Sequence, residues 1–178
     1  MINSFFKSFY LFFAGFLLIA PVLTMAQQDT AVSYTEIVSV DSADASRLFE
    51  RARIWMLNSY WDFKVELKVQ DRDYGHLGGD GMCIGVQDHK DTKMFFNSNT
   101  TFRFTIDIWT VNGKYRYAIT GIYDELGDLL TTSTRSPIKY PLTGQQKSDR
   151  FWAATKKAFD RKIRERIESL KFYMAGSD

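Results

Sequence analysis

Three side chains with reactive groups lie close together in the middle of the chain: His76, Asp80 and Cys83. A histidine that reaches a cysteine can activate the thiol as a base, and a carboxylate can orient the imidazole. Such a site requires all three groups on one side of the chain and an accessible thiol. The spacing does not demand that arrangement. An enzyme with its site at His76, Asp80 and Cys83 is therefore the alternative interpretation, and we expect a non-catalytic protein.

Metal and cofactor motifs are incomplete in this sequence. The two histidines, His76 and His89, lack the spacing of a zinc motif, and a calcium loop beginning at Asp71 would have Met82 where a bidentate glutamate is required. A nearby group of glycines has no Lys-Ser/Thr after it and leads into a strand, which is not typical of a phosphate loop; its members are Gly75, Gly78, Gly79 and Gly81. We expect no catalytic residue, no metal and no cofactor.

The N-terminus has the pattern of an export signal. Lys7 precedes an apolar run at residues 9–20, and Pro21 and Thr24-Met25-Ala26 follow it, which predicts a signal peptide at 1–26. The alternative is an uncleaved membrane anchor over residues 5–24. Both interpretations predict an exported protein, periplasmic or secreted, and membrane-anchored if the signal is retained.

Composition narrows the range of partners. The 178 residues include 23 Lys and Arg against 21 Asp and Glu, so the chain has little net charge to attract nucleic acid or an anionic membrane. Cys83 is the only cysteine, so no intramolecular disulfide can form. After the signal peptide we expect a short lead at 27–33 and one domain over 34–178.

Two alternating runs joined by Asn112-Gly113 predict a long β-hairpin. A two-residue turn there pairs Ile108 with Tyr117 and predicts the other pairs on the same face, which are Ile106 with Ile119, Phe104 with Gly121, and Phe102 with Tyr123. This face is expected to be core. The opposite face is mixed and polar, and its predicted members are Arg103, Thr105, Asp107, Trp109, Arg116, Ala118, Thr120 and Ile122.

Further elements surround the hairpin. We predict a strand at 34–40, a helix at about 43–58 capped by Asp41 or Ser42, and a strand with Phe63, Val65, Leu67 and Val69 on its buried face. Residues 71–81 are expected to be a glycine-rich connection before a strand that buries Met82, Ile84 and Val86 and places Cys83 on its other face. A long loop at 125–148, with a short edge strand at 129–132, precedes a helix at about 149–174.

The two predicted helices are amphipathic. The apolar stripe of the first contains Leu48, Ala52, Trp55 and Met56, and that of the last contains Trp152, Phe159, Ile163, Ile167, Leu170 and Met174. The element order β-α-β-β-β-β-α predicts an α+β fold in which both helices cover one face of an antiparallel sheet of about five strands. The other sheet face is left open.

Several segments together resemble the bacterial DUF4468 family: YTEIVSVD, RLFERARIWM, YGHLGGDG and FRFTIDIWTVNGKYRYAITGI. The resemblance covers residues 34–124, and its most specific parts are Trp55 and the segment 113–117. It implies a TBP-like fold (like the TATA-binding protein), to which a final helix would belong. The family has no assigned function and provides no catalytic residues to transfer. A shared fold does not imply DNA binding.

The open sheet face is the expected binding surface, with Arg103, Asp107, Trp109 and Arg116 as its candidate residues, because tryptophan and arginine are frequent interface anchors. The expected partner is a protein or another envelope component, not nucleic acid, and a homodimer through this face is an alternative. An exposed pair of Arg116 with Trp109 is equally compatible with the pattern. The basic final helix is a third candidate, for a membrane surface or a partner.

Overall fold

The computed structural model describes residues 29–41, 43–58, 62–86, 100–133 and 149–176. The predicted order of elements is confirmed. It comprises β1 (Tyr34–Ser39), α1 (Ala45–Leu57), β2 (Phe63–Asp71), β3 (His76–Val86), β4 (Thr100–Val111), β5 (Lys114–Tyr123) and α2 (Asp149–Ala175). The strands form one antiparallel sheet in the order β1-β5-β4-β3-β2. The predicted signal peptide and most of the predicted loop at 125–148 lie outside the described residues.

Both helices bury their predicted apolar stripes against one face of this sheet, which we call the inner face. Every predicted stripe residue of α1 and α2 is buried. Phe102 of β4 illustrates the packing, because its ring centroid lies 4.5 Å from the ring centroid of Phe159 and 6.3 Å from that of Trp152. Neither helix among the described residues is long and apolar enough to cross a membrane.

Helix α1 begins later than predicted. Its N-cap is Asp44, whose carboxylate accepts a hydrogen bond from the Arg47 backbone N–H at 2.7 Å, so the prediction of Asp41 or Ser42 is wrong. The hairpin turn explains the shift. The Asn112 side-chain oxygen accepts from the Ala45 N–H at 2.8 Å, and the Gly113 N–H donates to the Ala43 carbonyl at 2.8 Å. These bonds hold the chain outside the helix until Asp44.

The hairpin pairs as predicted near its turn and differs at its far end. Ile108 lies opposite Tyr117 and Ile106 opposite Ile119, but Tyr123 lies opposite Arg103 and not Phe102. A bulge at Gly121, which has φ +56°, inserts one residue into β5. A one-residue shift exchanges the faces. Ile122 is therefore buried, and Tyr123, predicted to be core, is 44% exposed.

Strand β3 extends much further than predicted. Residues 76–81, expected to be a connection, are its first half, and the turn is confined to residues 72–75. The alternation is also reversed, since Cys83 is fully buried on the inner face. The reason is that the Phe104 ring of β4 occupies the inner-face space at Gly81, two positions before Cys83. A Cβ placed on Gly81 would lie 2.0 Å from the Phe104 ring.

Two smaller differences occur at the sheet margins. The register of β2 shifts between Leu67 and Val69, so Val69 leaves the predicted buried set and is 41% exposed. The predicted edge strand at 129–132 consists of isolated bridges, from Leu129 to Tyr123 and from Thr131 to Ala31.

Candidate partner-binding face

The centre of the open, or outer, sheet face is a stack of three planar side chains. The register pairs His76 of β3 with Trp109 of β4, and Trp109 with Arg116 of β5. The rings of His76 and Trp109 are parallel to within 5°, with their centroids 5.0 Å apart. The Arg116 guanidinium carbon lies 5.2 Å from the Trp109 centroid. Because the two partners come from the strands on either side of β4, they flank the indole; we call this group the His76–Trp109–Arg116 stack.

A carboxylate fixes one end of the stack. His76 Nε2 lies 2.8 Å from Asp107 Oδ1, a hydrogen bond that becomes an ion pair when the imidazole is protonated. Gly78 provides the space for this contact, since a Cβ there would lie 2.9 Å from Asp107 Oδ1 and 3.4 Å from His76 Nε2. Three strands thus hold four polar or aromatic side chains in a defined arrangement.

The structure brings together three of the four predicted face residues. Asp107, Trp109 and Arg116 are neighbours, whereas Arg103 lies six positions from Trp109 along β4, roughly 20 Å at the rise of an extended strand. Arg103 is exposed on the same face, between Met82 and Tyr123. It therefore belongs to the face but not to the stack.

His76 is the residue that sequence reasoning left out of this face. The prediction that residues 71–81 form a connection left His76 outside the sheet. A signal for the strand was present, because Leu77 and Cys83 are apolar residues separated by an even number of positions. Extending β3 back along that alternation places Leu77 inside, where it is fully buried, and His76 outside.

The alternative catalytic set is not assembled. His76 and the exposed Asp80 belong to the outer face, while Cys83 is fully buried on the inner face. Burial raises the pKa of the Cys83 thiol to about 11, which disfavours the nucleophilic thiolate. The His76, Asp80 and Cys83 hypothesis therefore fails on geometry.

Several basic residues of α2 are paired within the domain. Lys162 and Arg166 both bind the Asp62 carboxylate, at 3.2 and 3.1 Å, and Arg164 binds Asp160 at 2.9 Å. Lys156 donates to the backbone carbonyls of Thr131 and Ser133. Lys156, Lys162, Arg164 and Arg166 are thus engaged within the fold, which weakens the candidacy of this helix as a membrane-binding surface.

A second polar cluster joins β1 to α2. Glu36 accepts hydrogen bonds from Tyr117 at 2.8 Å and Lys171 at 2.9 Å. The Lys171 ammonium, and then the Tyr117 hydroxyl, lower the pKa of the Glu36 carboxyl. Burial, followed by the hydrogen bond to Asp160, raises the pKa of Tyr34. These groups line a groove of about 550 Å³ between β1 and α2.

The described residues contain no group of three His, Cys, Asp or Glu side chains placed to hold a metal ion. His76 takes part in the stack described above, and His89 lies outside the described part of the chain. The outer face presents a fixed guanidinium, a carboxylate–imidazole pair and the exposed edge of an indole.

Comparison with known proteins identifies the fold and the family. Residues 34–124 match the model of a domain of unknown function (DUF4468) with a TBP-like fold. A DUF4468 family protein from Bacteroides ovatus is 11% identical in a structural alignment that covers 83% of this chain and 88% of that one, with a TM-score of 0.54. A TBP-like protein from Parabacteroides distasonis is 14% identical over 79% of this chain and 93% of that one, with a TM-score of 0.49.

No match is found among curated proteins. At 11% identity the Bacteroides ovatus structure supports the fold alone, and it agrees with the sheet and helices described above. The family match spans half of the chain, from the first strand to the end of the hairpin. The chain therefore belongs to the DUF4468 family and has its TBP-like fold.

Proposed function

We propose that this protein is an exported, non-catalytic module that binds a partner protein of the cell envelope through its outer sheet face. The proposal depends mainly on one observation, the His76–Trp109–Arg116 stack on a face that neither helix covers. Exposed cation–π pairs contribute only about 0.5–1 kcal/mol to stability, so the stack adds little to folding. Its fixed geometry lowers the entropy that these side chains would lose on binding.

The chemistry of the face indicates what the partner offers. Among the described residues, no carboxylate lies within ion-pair distance of Arg116, so its planar fork is available to an acidic group. The expected partner surface therefore presents a carboxylate to Arg116.

Export is the second part of the proposal and depends on the sequence pattern at 1–26. The mature protein is expected to begin after Ala26, which determination of the N-terminus of the protein from its native host would check. A retained Met1 on a membrane-bound protein would indicate the anchor instead.

Binding is tested by replacing Arg116 and Trp109 singly with alanine. The immobilised protein is incubated with envelope extract from the native host, and retained proteins are identified by mass spectrometry. A discrete partner retained by the wild type is expected to be lost, at least tenfold, from both variants. Their thermal unfolding should change by only a few degrees.

Arg103→Ala is the matched control, because it removes the same side chain from the same face at a distance from the stack. It should retain the partner. Equal retention by all variants, or loss from Arg103→Ala as well, would contradict the proposed site. Loss that coincides with unfolding of the Trp109 and Arg116 variants would contradict the claim that the stack serves binding and not folding.

A further inference from the structure

The two edges of the sheet differ in their protection against pairing with another strand. Edge strand β2 has an irregular register at Leu67 to Val69 and exposed lysines at Lys64 and Lys68, features that discourage pairing. Edge strand β1 has a regular register over its full length and contains neither lysine nor proline. Its outer-face residues are uncharged: Thr35, Ile37 and Ser39.

The backbone of β1 offers a row of hydrogen-bonding groups to a new strand. The Val40 N–H donates to the Gly113 carbonyl at 2.8 Å, which shows that this residue faces β5. Backbone groups alternate in direction along an antiparallel strand. Tyr34, Glu36 and Val38 therefore bond to β5, while the N–H and C=O groups of Thr35, Ile37 and Ser39 point away from the sheet. No other described strand pairs with that side.

We propose that β1 pairs with β1 of a second copy of this chain, antiparallel about a two-fold axis at Ile37, to form one continuous ten-stranded sheet. In this register Ile37 lies opposite Ile37 of the second copy, and Thr35 lies opposite Ser39. The N–H and C=O groups of these three residues are then all hydrogen-bonded. The reason is that a two-fold axis at Ile37, whose backbone groups point away from β5, brings together only residues whose backbone groups also point away from β5.

The side chains agree with the same register. Ile37, 66% exposed in the single chain, packs against its twin on the outer face, and no like charges face each other. On the inner face Tyr34 lies opposite Val40 of the second copy, and Glu36 opposite Val38. Tyr34 and Glu36 also line the groove between β1 and α2, so the two valines of the second copy would lie beside that groove. The dimer is formed by pairing of β1, whereas the stack belongs to β3, β4 and β5, so either proposal can fail without the other.

The first experiment measures the mass of the protein in solution by sedimentation equilibrium. The wild type is expected to be a dimer. Ile37→Pro removes an outward N–H that the β1–β5 ladder does not use, and Ile37→Lys introduces an edge charge, so each should weaken dimerisation at least tenfold. Circular dichroism should show that both variants fold. Val69→Lys, the same kind of change on the other edge strand, should remain a dimer.

The second experiment tests the register by cysteine cross-linking. Cα atoms of a hydrogen-bonded antiparallel pair are about 5.5 Å apart, within the range that a disulfide spans. Ile37→Cys should therefore form a covalent dimer on mild oxidation. Thr35→Cys and Ser39→Cys should each form no covalent dimer alone and should cross-link only when the two variants are mixed. The native Cys83 is buried and serves as the unreactive background.

Three results would overturn the proposal. One is a wild-type protein that remains monomeric at about 100 μM, because a dissociation constant above that concentration would be too weak for a specific dimer. Another is a dimer that Ile37→Pro and Ile37→Lys leave intact. The third is cross-linking of Thr35→Cys alone as efficiently as Ile37→Cys, which would indicate a different register.

Discussion

The two faces of the same sheet differ in what covers them, because both helices pack on the inner face and neither packs on the outer face, which carries the stack. On the inner face of β4, Phe102 and Ile106 are fully buried under the helices. On the outer face of the same strand, Asp107 and Trp109 contact side chains of the neighbouring strands. Because side chains alternate along a strand, one stretch of sequence contributes to both surfaces. Substitutions on one face should therefore change stability and those on the other should change binding.

The largest expected effect comes from the inner face. Phe102→Ala should lower the free energy of unfolding by about 3–5 kcal/mol, because it removes a buried ring that packs between Phe159 and Trp152. Trp109→Ala, on the outer face, should cost about 1 kcal/mol. Urea unfolding at equilibrium measures both. Similar losses for the two variants would show that the outer face also stabilises the fold.

Two glycines of β3 provide a matched pair across the sheet. Gly81→Ala should cost about 1–3 kcal/mol, because the new methyl group meets the Phe104 ring, which is itself packed against Phe63. Gly78→Ala should change stability by no more than about 1 kcal/mol, since Asp107 can rotate away and alanine is the better strand residue.

The Gly78 substitution should instead disturb the candidate site. Displacing Asp107 breaks its hydrogen bond to His76, which the NMR shifts of the His76 imidazole would report. Urea unfolding at equilibrium also measures the free energies of unfolding of the two glycine variants. A Gly78→Ala variant less stable than Gly81→Ala would reverse the assignment of the two faces.

The smallest expected effect lies at the rim of the inner face, where Glu36 joins β1 to α2. Its pKa is lowered in the folded state, so its contribution to stability is present above the ordinary carboxyl pKa and is lost as the pH falls through the folded value. The contribution should be about 0.2–1 kcal/mol, since the pair with Lys171 is partly exposed.

Urea unfolding of the wild type and Glu36→Gln at about pH 7 and about pH 3 would measure it. The two proteins should differ at the higher pH and converge at the lower one. A difference that persists in acid would show that Glu36 acts through packing and not through its charge.

Where the strand pattern is regular, sequence reasoning predicted the fold correctly. The helix stripes, the Asn112-Gly113 turn and the pairing next to it all follow from local periodicity, and all are confirmed. The errors occur where the periodicity is interrupted. The bulges at Gly121 and near Lys68 each insert one residue, and every side chain beyond such a point changes face.

The candidate site shows the same division. Trp109 and Arg116 were predicted to be neighbours from the turn alone, because two residues connect their strands. The contribution of β3 was not predicted, since its glycines have no side chains from which an alternation could be read. Only the pairing of β3 with β4 places His76 against Trp109.

The sequence by itself determined the order of elements, the inner face at the centre of the sheet and the identity of the hairpin. These depend on hydrophobic periods of 2 and 3.6 residues, which are local properties of the chain. The tertiary structure alone decided that Cys83 is buried, that His76 completes the stack and that β1 is left as the unprotected edge. Each of these depends on which strands become neighbours, and that follows from packing of the whole core.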